Sequence, residues 1–487
     1  MIRLSDLQMW IVLPEIIVLI MACIILIISV VLPEKSGKNL GYGLTVSTLL
    51  LAALAVLIGR EESYAIGLFG LVIQDPISDI SKLTICLITV VVLVYGRSYA
   101  EKRGLLRGEF LTLILFGTVG MMVMVSASHL ITVYIGLELM SLCLYALIAL
   151  HRDSVEATEA AMKYFILGAL ASGILLYGMS LLYGLTGGLE LAQIQQSVVG
   201  MSSDDLPLVI ALILVIVGLL FKLGAVPFHM WVPDVYEGSP TVVTAYLASA
   251  TKIAVFVILF RLLAISLESL LNAWQDMLIA VALLSIGFGN LAAIAQKNIK
   301  RMLAYSTIAH MGFFLLGMLS GDIIGYSAAM IYVLVYAVVS VGVFGCILHL
   351  TREGFEADKL EDYRGLSETE PWLAFLLLLF MFSLAGVPPT VGFYAKLSIF
   401  QAVVGAGLIW VAIPAVLFTV IGAFYYLRIV KLMYFDEPSS GEVDQQFVPA
   451  LDSRALLMAN GLLMVAIMPW IGSIAEVCRD AISLVSG

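Results

Sequence analysis

Four lysines and one glutamate stand where ionisable side chains are costly to keep. Lys163, Lys222, Lys252 and Lys396 each fall inside a long apolar run, and Glu138 sits within another, VYIGLELMSLCLY. A charge at the centre of a bilayer costs at least about 2.5–3.5 kcal/mol on insertion scales, so residues kept there are candidates for carrying protons or ions. The chemistry they offer is a proton switch. At about 6 Å and an effective dielectric of about 20, a Glu–Lys pair is worth roughly 2.8 kcal/mol, which is about two pKa units. Making or breaking such a pair moves a lysine between holding and releasing its proton, and Glu138 is the one deep carboxylate available as the partner. Lys252 is the eleventh residue of its run, too deep to snorkel easily. Lys163 follows Glu159 by four residues, and that spacing also fits an ordinary ion pair at a helix end. His229 (VPFHMW) and His310 (YSTIAHMG) are candidates for linking successive lysines through water, although packing is the preferred reading for His310.

The elements that position these groups must span a membrane. The 487-residue chain is 62% hydrophobic and 12% charged, with a mean hydropathy of +1.07. Soluble domains carry roughly 45–50% apolar and about 25% charged residues. That balance excludes a soluble multidomain enzyme, a secreted disulfide scaffold, a disordered chain and a nucleic-acid binder. Apolar runs of about 18 residues or more recur from end to end, without the alternation that barrel strands require. The expected fold is an all-α polytopic membrane protein with about fourteen helices, near 10–32, 40–58, 77–95, 110–125, 130–150, 160–183, 208–231, 242–264, 277–295, 302–319, 324–350, 373–404, 409–433 and 455–471. The start, MIRLSDLQMW, reads as the approach to a retained first span, with no cleavage pattern after it.

Charge bias orients the spans. Of the 25 Lys and Arg residues, sixteen lie in or beside loops that follow odd-numbered spans, and five (Arg3, Arg60, Lys82, Arg261 and Arg479) lie on the other side. By the positive-inside rule both termini are expected outside the cytoplasm, in a bacterial inner membrane. The remaining four basic residues are the intramembrane lysines.

Two of the spans carry breakers. The seventh contains Gly224 and Pro227, and the twelfth contains Gly386, Pro388 and Pro389. A proline frees a backbone carbonyl, which in hydrocarbon is tolerable only beside protein or a wet cavity. Leu223–Pro227 aligns with Leu384–Pro388 at a separation of 161 residues. Five spans separate the copies, so the second must run in the opposite sense, as in transporters whose ion sites lie at such breaks. The expected organisation is a three-helix segment (1–108), a first five-helix repeat (109–265), an inverted second repeat (270–435) and a C-terminal helix (436–487).

Other chemistries find no motif. The chain has no P-loop, HExxH, G-x-S-x-G or dinucleotide fingerprint, and its five cysteines form no CxxC pair. No metal or redox centre is expected.

Three segments carry a family resemblance. FKLGAVPFHMWVPDVYEGSP, NIKRMLAYSTIAHMG and SLAGVPPTVGFYAKL resemble the antiporter-like membrane subunits of respiratory complex I, the proton-pumping NADH–quinone oxidoreductase. PDVYEG, a lysine at Lys396 and the lack of a long lateral C-terminal helix resemble the N-type branch of that family. Subunits of multisubunit sodium/proton antiporters fit less well. The resemblance implies that Glu138 pairs with Lys222, that Lys252 is the central proton carrier and that Lys396 stands at the exit, with Lys163 also on a family lysine. It further implies a proton-translocating role among other membrane subunits. NADH, flavin, iron–sulfur clusters and quinone would be handled elsewhere in the complex, and no cofactor by this chain. A purely structural subunit is the rival reading.

Overall fold

In lipid every backbone N–H and C=O must find a partner within the protein, so apolar runs of this length become helices. The structure, a computed structural model, describes residues 8–59, 64–201, 205–352, 355–438 and 451–486. Its helices are α1 (Leu13–Val31), α2 (Glu34–Ile58), α3 (Pro76–Lys102), α4 (Gly108–Val125), α5 (Leu130–Ile148), α6 (Val155–Thr186), α7 (Leu191–Val198), α8 (Leu206–Leu223), α9 (Trp231–Gly238), α10 (Thr241–Leu259), α11 (Leu271–Ile294), α12 (Ile299–Met318), α13 (Ile323–Leu350), α14 (Leu366–Thr369), α15 (Pro371–Ala385), α16 (Val391–Gly405), α17 (Ile409–Phe435), α18 (Leu451–Ala466) and α19 (Ile471–Ser486). A π-helical turn, Phe260–Ser266, prolongs α10, and a small antiparallel hairpin, β1 (Ala65–Gly67) and β2 (Val72–Gln74), precedes α3. Polar side chains start the helices where the sequence offers them. Ser154, Asn298 and Asp322 accept the N–H groups of Ala157, Arg301 and Gly325, as N-caps do.

Eleven of the described helices are long and apolar enough to cross a membrane. Adding α12, the broken α15–α16 and the bent α18–α19 gives the fourteen crossings expected. The last span differs from expectation because Pro469 interrupts it. The chain bends by 54° there and continues as α19 well past residue 471.

Glycines set the helix pairs that open each half. A Cβ on Gly120 of α4 would lie 2.6 Å from the Met140 nitrogen and 2.7 Å from the Gly136 oxygen, and one on Gly136 of α5 would lie 2.8 Å from the Gly120 oxygen. In the second half, Gly289 of α11 meets the Ala309 nitrogen at 2.7 Å, and Gly312 of α12 meets the Ala282 oxygen at 2.8 Å. Such close approach is available only to small residues. Because α4 and α11 are five crossings apart, they enter from opposite faces, and the two halves are inverted.

Two readings of the sequence need correction. α8 ends at Gly224 (φ 83°), where the Gly224 and Ala225 N–H groups both donate to the Leu220 carbonyl; α15 ends at Gly386 (φ 81°), where the Gly386 and Val387 N–H groups both donate to the Phe382 carbonyl. This left-handed cap needs glycine, so Gly224 corresponds to Gly386. The repeat offset is 162 residues, one more than the sequence alignment, which had paired Gly224 with Ala385. The charge count on the N-terminal face also changes. Lys82 and Arg261 do not face water but are buried, 1% and 3% exposed, in ion pairs with Glu15 and Asp75. Arg3 and Arg60 lie outside the described residues.

Replacing Gly136 by Val is expected to destabilise the α4–α5 pair by about 1–3 kcal/mol or more. It should lower the amount of protein in membranes, whereas Gly43→Ala, in open space, leaves that amount unchanged. Equal membrane levels for the two variants would contradict this packing.

Candidate functional site: lysines at the ends of broken helices

A helix that stops inside the membrane leaves its last carbonyls without N–H partners and with the negative end of its dipole exposed. Both breaks meet that demand with a lysine from elsewhere. Lys252 of α10, fully buried, donates to the carbonyl of Leu223, the last residue of α8, at 2.9 Å. Lys396 of α16 donates to the carbonyls of Leu384 and Ala385, the last residues of α15, at 2.8 and 3.1 Å. With the offset of 162, Leu223 corresponds to Ala385, so the two ammonium groups hold equivalent carbonyls in the inverted halves. Each also lies against an aromatic face, Lys252 at 5.6 Å from the Trp231 ring and Lys396 at 5.2 Å from that of Phe313, a favourable cation–π placement.

Lys222 is buried (4% exposed) beside the first break. Its ammonium donates to the Ser141 hydroxyl at 2.9 Å and the Tyr145 hydroxyl at 3.4 Å, both on α5. Glu138 stands one turn before Ser141 on the same helix. It is half-buried, and one carboxylate oxygen is enclosed without a hydrogen-bond partner among the described residues. The expected direct contact between Glu138 and Lys222 is thus replaced by a hydroxyl step. Glu138 shares its outer face with Ile131, Ile135 and Leu142, which are 49%, 57% and 54% exposed.

Lys163 and His229 lie away from this row. Lys163 is partly exposed at the face where α6 begins. It pairs with Glu159 at 2.7 Å and with Asp234 of α9 at 2.8 Å, and Asp234 and Glu237 also hold Arg301 of α12 at 2.8 Å. The i,i+4 pairing expected from sequence is present, inside a network that ties the two halves together. His229 follows the first break, half-buried, with its ring edge-on to Phe288 at 4.7 Å and Nδ1 unpartnered among the described residues.

The structure gives His310 more than packing. Buried in α12, it shares hydrogen bonds with the Tyr332 hydroxyl at 2.7 Å and the Tyr426 hydroxyl at 2.9 Å, and Tyr426 meets the Ser306 hydroxyl at 2.5 Å. His310 and Lys396 line one cavity of about 20 Å³, enough for a single water. Ser306 and His310 are four residues apart, so their shared helix face was visible in the sequence; the tyrosines opposite come from α13 and α17 and were not. Lys300, one of the sixteen basic residues in or beside loops, is buried and caps the Ser239 carbonyl, at the end of α9, at 3.0 Å. Among the described residues no group of His, Cys, Asp or Glu could hold a metal ion.

Two inverted halves, each with a helix broken inside the membrane and a lysine on its broken end, define an antiporter-like membrane fold. The chain belongs to the NADH:quinone oxidoreductase/Mrp antiporter transmembrane family, whose model matches residues 127–422. It is 55% identical to the NADH-quinone oxidoreductase subunit N of Thiobacillus denitrificans over 96% of each chain, and 52% identical to that of Thioalkalivibrio sulfidiphilus over 97% of this chain and 98% of that one. Among solved structures it resembles a chain of respiratory complex I from Thermus thermophilus, with 32% identity, a TM-score of 0.80, and 95% of this chain and 99% of that one covered. A chain of the Mrp complex from Dietzia shares the fold at a TM-score of 0.84 and 24% identity, over 97% of each chain.

Lys396→Met removes the donor from two buried carbonyls and should destabilise the protein by about 1–3 kcal/mol for each one left bare. Lys396→Gln, which keeps N–H donors, should lose less. Thermal unfolding of the purified assembly checks this ordering, and equal melting temperatures would contradict the capping role.

Proposed function

We propose that this chain is a proton-translocating membrane subunit of a bacterial NADH-quinone oxidoreductase of the complex I type. Protons are taken up from the cytoplasm near Lys222, pass to Lys252 and leave through Lys396. The supporting observation is the pair of equivalent carbonyl ends on which Lys252 and Lys396 rest. A carbonyl end stabilises an ammonium without neutralising it, so each lysine can give up its proton and later regain it. His310, within its ring of hydroxyls and next to the one-water cavity, is suited to pass the proton toward Lys396, because a histidine accepts at one nitrogen while donating from the other.

Lys163, in its ionic network, guards the uptake face, and His229 serves the first break. Glu138 receives the coupling signal. A carboxylate on an otherwise apolar outer face is too costly to leave against lipid, which supports a neighbouring membrane subunit at that surface. The charge bias, with the buried Lys82, Arg261 and Lys300 left out of the count, still supports both termini on the non-cytoplasmic side. The N-terminal three-helix segment, two five-helix repeats and C-terminal helix serve as one unit, while NADH, flavin, iron–sulfur and quinone chemistry belongs to other subunits.

Lys222→Met in an otherwise assembled complex should abolish or sharply reduce this subunit's share of pumping, read as protons moved per NADH oxidised in membrane vesicles. An unchanged ratio would favour a scaffold that translocates nothing.

A further inference from the structure

Another buried ion pair lies outside both halves, in the N-terminal three-helix segment. Glu15 of α1 and Lys82 of α3 meet at 2.6 Å, with their side chains 7% and 2% exposed. Lys82 is the seventh residue of α3 and Glu15 the seventh of the continuous span Met9–Val31. At 1.5 Å per residue both lie about 9 Å beyond the first residues of their helices, just inside a hydrocarbon core about 30 Å thick that α3, about 40 Å long, overhangs at each end. A buried ion pair adds little to stability compared with apolar residues of the same size, so retaining one at this depth calls for another role.

The second oxygen of Glu15 is enclosed without a hydrogen-bond partner among the described residues, which leaves it free to take a proton. Its first oxygen lies 3.5 Å from the Ser126 hydroxyl. The Ser126 carbonyl accepts the N–H of Ile73, and Ile73, Ala127 and Ser128 line a cavity of about 220 Å³ on the N-terminal face together with Arg261 and Glu190. The other ionisable groups around the pair are Asp79 and Cys86, about one turn to either side of Lys82 on α3, and the Asp75–Arg261 pair between the start of α3 and the end of α10. The guanidinium there also donates to the Val125 carbonyl, and the Asp75 carboxylate caps α3. Arg261 engages both carboxylate oxygens of Asp75, whereas one oxygen of Glu15 keeps no hydrogen-bond partner among the described residues.

The geometry points to Glu15–Lys82 as a second proton-carrying site, working between the membrane interior and the N-terminal face. The inference rests on the translocating role proposed above. Lys82 passes a proton across the 2.6 Å contact to Glu15, leaving a neutral amine and a neutral acid. The acid gives its proton to water on the Ser126 side, and the amine regains one from the interior.

The test is made in the assembled complex, as protons pumped per NADH oxidised in vesicles, with Lys222→Met as the reference for a lost pathway. Lys82→Arg keeps the charge and the pair, but a guanidinium does not release its proton. The double variant Glu15→Gln/Lys82→Met removes both charges together, so no unpaired charge remains buried. Both are expected to assemble and to lower the ratio as far as Lys222→Met does. A wild-type ratio in either, or loss of assembly in both, would make the pair a structural tie and overturn the inference. If Lys222→Met itself pumps normally, the translocating role fails instead.

Discussion

Carbonyl groups at the end of a helix that stops within a membrane have nowhere to turn but to the protein. In this chain the demand arises at Leu223 and at Leu384–Ala385, and in both places a lysine ammonium answers it. The arrangement constrains the rest. The broken ends need glycine to turn the chain, and the lysines need stems buried by neighbouring helices. Those helices in turn must sit close enough to exclude lipid, which the Gly120–Gly136, Gly289–Ala309 and Gly312–Ala282 approaches permit. An ammonium held by dipoles rather than by a carboxylate is stabilised without being locked, and this distinguishes Lys252 and Lys396 from Arg261, whose cation Asp75 holds.

The two faces of the bundle treat charge differently. Where α6 and α12 begin, Lys163, Asp234, Glu237 and Arg301 form a partly exposed network that joins the inverted halves. In such a setting each pair contributes little by itself, but it stays accessible to water and to protons. On the N-terminal face, Glu15–Lys82 and Asp75–Arg261 are buried ion pairs. Between them lie the lysines at the breaks, His310 with its hydroxyl ring, and Ser141 and Tyr145 beside Lys222. Polar side chains are thus distributed from one face to the other through a bundle whose lipid-facing surface is apolar.

Much of this was legible in the sequence, because lipid allows so few solutions. Eleven of the apolar runs became helices long and apolar enough to cross a membrane, and others shorter, broken or bent ones; the matching positions of the two breaks announced the inverted halves. Lys222, Lys252 and Lys396 stood out because a charge within an apolar run has no ordinary explanation. What the sequence hid was pairing between distant helices. The alignment by proline placed the repeat one residue short, since the glycine cap and not the proline defines the helix end. Lys82 and Lys300 looked like surface charges because each lies near a span boundary, and only the fold shows them buried. His310 looked like a packing residue because its partners, Tyr332 and Tyr426, are 22 and 116 residues away.

The most direct measurement is the proton-to-NADH ratio of the assembled complex carrying Lys252→Arg. Arginine keeps a cation and N–H donors for the Leu223 carbonyl, so folding and assembly should persist, yet it does not give up its proton near neutral pH. If Lys252 carries protons, the ratio falls while the complex remains intact. A wild-type ratio would mean that the lysine merely caps a helix end and that protons travel by another route.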